Sequence, residues 1–202
     1  MEYNQFMILE GIVTTLSPTG EVNIAPMGSL VDERMQRLIL RPFRTAQTYR
    51  NLKAHGEGVL HVTDDVLLLA RSALGSVEPL PAMIPACAVK GVVLPDACRS
   101  YEFRVTACDD SEERARLEAE VVHVERMRDF FGFNRAKHAV VEAAILATRL
   151  DFLPLPEIEA EFARLAVIVR KTGGDQETKA FAFLEAAVQL RTTRSRVREN
   201  AG

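Results

Sequence analysis

Arg41-Pro42-Phe43-Arg44-Thr45-Ala46-Gln47-Thr48 places two guanidinium groups and two hydroxyls where a short β-like run, Arg37 to Leu40, gives way to a helical pattern. Backbone N–H groups at a helix start lack intrahelical partners and sit at the positive end of the macrodipole, so an anion is favoured there. Hydroxyls donate to its oxygens, and an arginine binds two of them at once. Two readings follow from these residues alone: a phosphate site, or a capped surface helix with incidental arginines, which a chain of 20 Arg and 5 Lys makes common. Thr45 is the expected N-cap, and Gly56, after His55, the expected terminator.

Upstream, the runs Ile8 to Leu16 and Val22 to Leu30 flank Ser17-Pro18-Thr19-Gly20, the signature of a hairpin. Within the second run, Asn23-Ile24-Ala25-Pro26-Met27-Gly28-Ser29 requires an edge or bulged strand, because Pro26 has no N–H to give a ladder. Pro and Gly there also leave backbone groups beside a small apolar surface, as a flat heteroaromatic ring needs. Downstream, Gly58 to Val62 reads as a strand and Asp64-Asp65 as the cap of a helix from Val66 to Leu74. Residues 75–99 are irregular, either an active-site loop or a long connection. Tyr101 to Ala107 and Ala115 to Val124 alternate at period two and predict a second hairpin.

From Asn134 the period becomes helical. Ala136, Ala139, Val140, Ala143 and Leu146 form one apolar face, Ile158, Phe162, Leu165 and Val169 a second, and Phe181, Leu184 and Val188 a third. Pro156 suits a first turn, Gly173-Gly174 a stop, and Asp175 a new cap. The pattern predicts an α+β chain, a β-rich domain over 1–131 and a helical C-terminal extension over 132–202 packed on it. Asn134-Arg135, at the first of these helix starts, is a further candidate anion contact, although Arg135, Glu142 and Arg149 also fit a charged outer stripe.

Composition sets the limits. With 202 residues, 48% hydrophobic, the chain can build its core without metal or disulfide support. A net charge of -3 gives no general attraction to nucleic acid, and the arginines between Arg191 and Arg198 read as a solvated helix end. No bilayer-length apolar run or signal-peptide pattern is present in the sequence, whose opening is MEYNQFMILEG, so no membrane association and a cytoplasmic location are expected. Cys87, Cys98 and Cys108 lack the close pairing of zinc or disulfide frameworks, and no two histidines share ligand spacing, so no metal is expected. No nucleophile triad or carboxylate pair stands out.

The order of these motifs, from Asn-Ile-Ala-Pro-Met-Gly through Arg-Pro-Phe and Thr48-Tyr49-Arg50-Asn51-Leu52 to Gly58-Val-Leu-His-Val-Thr-Asp-Asp, resembles the flavin reductase-like FMN-binding split barrels. It is more closely similar to an uncharacterised prokaryotic family in that superfamily, one with a helical C-terminal extension. The likeness covers residues 7–74 and resumes at Gly132-Phe-Asn-Arg-Ala-Lys-His-Ala-Val-Val-Glu-Ala-Ala-Ile and Thr148-Arg149-Leu150.

The resemblance implies a split β-barrel followed by helices, with FMN as cofactor and a homodimer. It places the flavin phosphate against Arg41, Thr45, Gln47 and Thr48, and the ring against Ala25, Pro26, Met27, Gly28 and Ser29. The implied activity is that of a flavin-dependent oxidoreductase drawing electrons from NAD(P)H, in which the flavin carries the hydride chemistry. The alternative is a non-catalytic flavin-binding or sensing protein whose helical extension meets a partner.

Overall fold

The computed structural model describes residues 6–199, with side chains through Thr193; the chain start and the side chains of Arg194, Arg196 and Arg198 lie outside the described residues. In chain order the elements are β1 (Phe6–Leu16), β2 (Val22–Asp32), β3 (Arg37–Leu40), α1 (Gln47–His55), β4 (Glu57–Val62), α2 (Val66–Ala73), β5 (Ile84–Pro85), β6 (Val92–Val93), β7 (Arg99–Asp109), β8 (Arg116–Arg126), α3 (Arg135–Ala147), α4 (Leu155–Thr172) and α5 (Asp175–Glu199). Two compact units result: residues 1–64 with 79–130, and residues 65–78 with 131–202. Among the described residues no helix is long and apolar enough to cross a membrane.

In the first unit six strands close into an antiparallel barrel in the order β1-β2-β3-β8-β7-β4. The period-two pattern directs Val13, Val31, Leu38, Leu40, Leu60, Phe103 and Leu117 into its core. Gly11 lets β1 and β4 approach, since a Cβ there would lie 2.6 Å from the His61 carbonyl oxygen. Pro26 makes no bulge: β2 pairs with β1 without a register break from Val22 to Asp32. Among the described residues it meets β3 only at Leu30 and Val31, so Val22 to Ser29 form an edge and the missing N–H of Pro26 disrupts no second ladder there.

Within the irregular stretch, the part that belongs to this unit, from Pro79 on, forms the small β5–β6 hairpin, and β6 packs against β1 and β4. Thr14 Oγ1 donates to the Val92 carbonyl at 2.6 Å. His61 is fully buried in this layer: the Leu94 N–H donates to Nε2 at 3.0 Å, and Nδ1 lies 3.2 Å from the Ile12 carbonyl. These partners require the neutral tautomer with its proton on Nδ1, and burial lowers the imidazole to about 4.

The second unit contains α2, α3, α4 and α5 around one core, in which the Phe162 and Phe181 ring centroids lie 5.6 Å apart. The three apolar faces expected from the sequence all contribute to it. The domain boundary differs from a single division near 131, because α2 joins the later helices: its Val66, Leu69 and Ala70 are buried in their core. Asp65 caps α2 as expected, accepting the Leu68 N–H at 2.9 Å. At α5 the expected cap Asp175 is already helical, and the Glu177 carboxylate instead accepts the Gly174 N–H at 2.8 Å.

Candidate functional site

The strand β3 delivers the chain to Pro42 and Phe43, which are laced to the β7–β8 hairpin. The Ala115 N–H donates to the Pro42 carbonyl and the Arg44 N–H to the Glu113 carbonyl, both at 3.0 Å. The Arg114 guanidinium lies 4.0 Å from the centroid of the Phe43 ring, so a further arginine joins the segment from 71 residues away in the chain, with no local signal to announce it.

Helix α1 begins one residue later than the sequence suggests. Ala46, not Thr45, is the N-cap; it supplies no side-chain cap, and no acidic residue occupies the first turn. Thr45 fails as cap because the Ala46 N–H turns back to the Phe43 carbonyl at 2.9 Å, extending the preceding turn by a residue. Arg41, Arg44, Thr45 and Gln47 are exposed around this helix start. Gln47 is committed to its own helix, donating to Asn51 Oδ1 at 2.7 Å and accepting from Arg50 at 3.0 Å. Gly56 ends α1 as expected, with φ of 66° and its N–H on the Leu52 carbonyl at 2.8 Å.

A buried polar network joins this helix to the other candidate stretch. Asn23 Nδ2, near the start of β2, donates to Thr48 Oγ1 at 3.0 Å, and Asn51 Nδ2 donates to Thr15 Oγ1 at 3.0 Å. Asn23 Nδ2 also lies 3.4 Å from Thr15 Oγ1. The stretches 23–29 and 41–48 are therefore neighbours in space, with Asn23, Thr15 and Asn51 as their link. Asn23 stood in the motif read from the sequence; Thr15 gave no sign of this role. Replacing Asn23 by Ala removes the donor to a buried Thr48 and should cost about 1–2 kcal/mol, read as a lower urea midpoint.

A second tie fixes the outer face of α1. Tyr49 Oη and Lys53 Nζ both donate to Asp110 Oδ2 at 2.6 Å. The bonds from Lys53 and Tyr49 hold the Asp110 carboxyl down at about 2, while the bond to Asp110 raises the Tyr49 phenol.

Ala25, Pro26, Met27 and Gly28 are half-buried along the open edge of β2. On that edge, alternate backbone N–H and C=O groups face away from any strand. Such an edge fits the heteroatoms of a flat ring. Ser29 is enclosed completely, backbone included, and among the described residues its Oγ has no hydrogen-bond partner. Asn134 and Arg135 belong to the second unit. The Asn134 side chain is spent on structure: Oδ1 accepts the Ala136 and Lys137 N–H groups, and Nδ2 donates to the Thr172 carbonyl at 3.1 Å. Arg135 remains exposed.

A family model described as the N-terminal domain of a protein of unknown function (DUF447) matches residues 9–128, and one described as protein of unknown function (DUF447) matches residues 134–186. The FMN-bound protein MM1853 from Methanosarcina mazei, described with the same family model, is similar with a TM-score of 0.77 at 22% identity, over 89% of this chain and 94% of its own. Nitrilotriacetate monooxygenase component B from Bacillus cereus is similar with a TM-score of 0.51 at 20% identity, over 59% of this chain and 69% of its own. The 2-nitrobenzoate 2-nitroreductase NbaA from Pseudomonas fluorescens has a TM-score of 0.51 at 16% identity, over 59% of this chain and 64% of its own. The fold is thus the flavin reductase-like split barrel with C-terminal helices.

Proposed function

The chain belongs to the DUF447 family of proteins of unknown function, and from that premise we propose that it binds FMN and acts as a flavin-dependent oxidoreductase. The observation that carries the reading is the Asn23–Thr48 hydrogen bond, which joins an open strand edge to an uncapped helix start flanked by exposed Arg41 and Arg44. The FMN-bound relative MM1853 supports the same cofactor. The phosphate belongs at the start of α1, on Arg41, Arg44, Thr45 and the first-turn N–H groups, and the ring along Ala25 to Gly28. Asn134 is assigned to capping α3.

Bound FMN would supply hydride chemistry, with NAD(P)H as the electron source; the chain's own task is to hold the ring and neutralise the phosphate. A homodimer would give the flat ring a second wall. The test is a titration of flavin-free protein with FMN, followed by anaerobic addition of NADH or NADPH. The expected result is saturable binding and bleaching of the flavin absorbance. Absence of FMN binding would overturn the whole reading. Binding without bleaching would instead favour a non-catalytic flavin protein that recruits a partner, a reading favoured by the exposed rings of Phe131, Phe133 and Phe152 in the second unit.

A further inference from the structure

On the barrel wall, Glu102 of β7 stands directly opposite His123 of β8, beside a register shift that leaves Val122 as an extra residue in β8. Directly opposed residues share a face of the sheet, so the carboxylate and imidazole are neighbours. Over them lies the turn between β5 and β6, which brings Cys87. One donor atom from each of Cys87, Glu102 and His123 lies within 4.8 Å of the others. We propose that these three residues form a zinc site that ties the β5–β6 turn to the barrel.

The chemistry of the donor set is suited to that ion. Thiolate, imidazole and carboxylate are the ligand types zinc takes, and ideal tetrahedral bonds place neighbouring donors about 3.3–3.6 Å apart. Closing from the observed separation asks for a modest side-chain rotation, which the exposed Cys87 can make. Glu102 is already fixed: its Oε2 accepts the Ala88 and Val89 N–H groups at 2.6 and 3.1 Å, and among the described residues its Oε1 accepts only the Cys87 N–H at 2.8 Å. A lone pair therefore remains on Oε1, the oxygen next to the cysteine. Hydrogen bonds of this kind orient a metal-bound carboxylate.

Among the described residues, neither the Cys87 thiol nor the His123 ring takes part in a hydrogen bond or ion pair. Binding releases the thiol proton to solvent, after which one thiolate and one carboxylate balance the dication beside a neutral imidazole. The exposure of Cys87 and partial exposure of His123 leave a fourth position for water.

The experiment uses full-length protein freed of flavin and treated with a chelator, then titrated with Zn2+ by calorimetry and with Co2+ by absorbance in the red, where flavin does not interfere. One equivalent should bind, and Co2+ should give the intense bands of four-coordinate geometry. Cys87→Ser and His123→Gln, both at non-buried positions, should each weaken binding by about 100-fold or more, while Cys108→Ser, at an exposed thiol outside the cluster, should not. Melting temperatures without metal check that the variants fold. Lack of stoichiometric binding by the unmodified protein would overturn the proposal, as would unchanged affinity in folded Cys87→Ser and His123→Gln.

Discussion

Arg41→Ala combined with Arg44→Ala should weaken FMN at least about a hundredfold and leave riboflavin almost unaffected. A charge-assisted hydrogen bond contributes roughly 1.5–3 kcal/mol, about one to two orders of magnitude in affinity for each guanidinium that meets the phosphate. Both arginines are exposed, and among the described residues neither is in a salt bridge, so the barrel should survive their loss. Thr45→Ala should be milder, since Thr45 caps nothing. Fluorescence titration at fixed salt measures both ligands. A parallel loss for FMN and riboflavin would point to a damaged fold, and equal affinity of the unmodified protein for both would remove the phosphate from α1.

Stability should fall by about 3 kcal/mol as the pH drops from 6.5 to 4, on account of His61 alone. The direction follows from linkage. Burial lowers the folded imidazole to about 4, whereas in the unfolded chain it titrates near its ordinary 6.5, so between these values the unfolded state binds the extra proton. The contribution is complete above 6.5 and is lost as the pH falls through the folded value. Protonation would also place a hydrogen on Nε2 against the Leu94 N–H. Urea unfolding across this range should show the slope, and His61→Gln should flatten it, whatever its absolute stability. The same slope in the variant would transfer the effect to other groups.

The barrel was legible because alternation along Tyr101 to Ala107, the Ser17 to Gly20 turn and the edge demand of Pro26 are local signals. So were the apolar faces of α3, α4 and α5. The position of α2 was not, since an amphipathic helix shows that it buries a face but not against what; only the packing of Leu69 and Ala70 with the later helices reveals it. A cut at residue 131 would consequently divide the helical unit, leaving α2 behind. In the candidate site, the arginines and threonines were visible as a cluster, but the cap at Ala46 depends on one turn hydrogen bond. Arg114, Thr15 and the grouping of Cys87, Glu102 and His123 depend on strand register and on the packing of turns and α1 against the barrel, which bring together residues too distant in sequence for any spacing rule.

The open edge of β2 has a further consequence for how the protein behaves in a crowded solution. An unpaired strand edge is a template on which another chain can polymerise, and proline is one of the residues that discourage such growth. Pro26 lies in the middle of that edge, where an incoming strand would find a missing donor and a ring in its way. A small planar molecule needs only a few backbone groups and is not refused on those terms. The same residue that looks like a defect in the strand thus acts as a filter, closing the edge to polypeptide while leaving it available to a ligand.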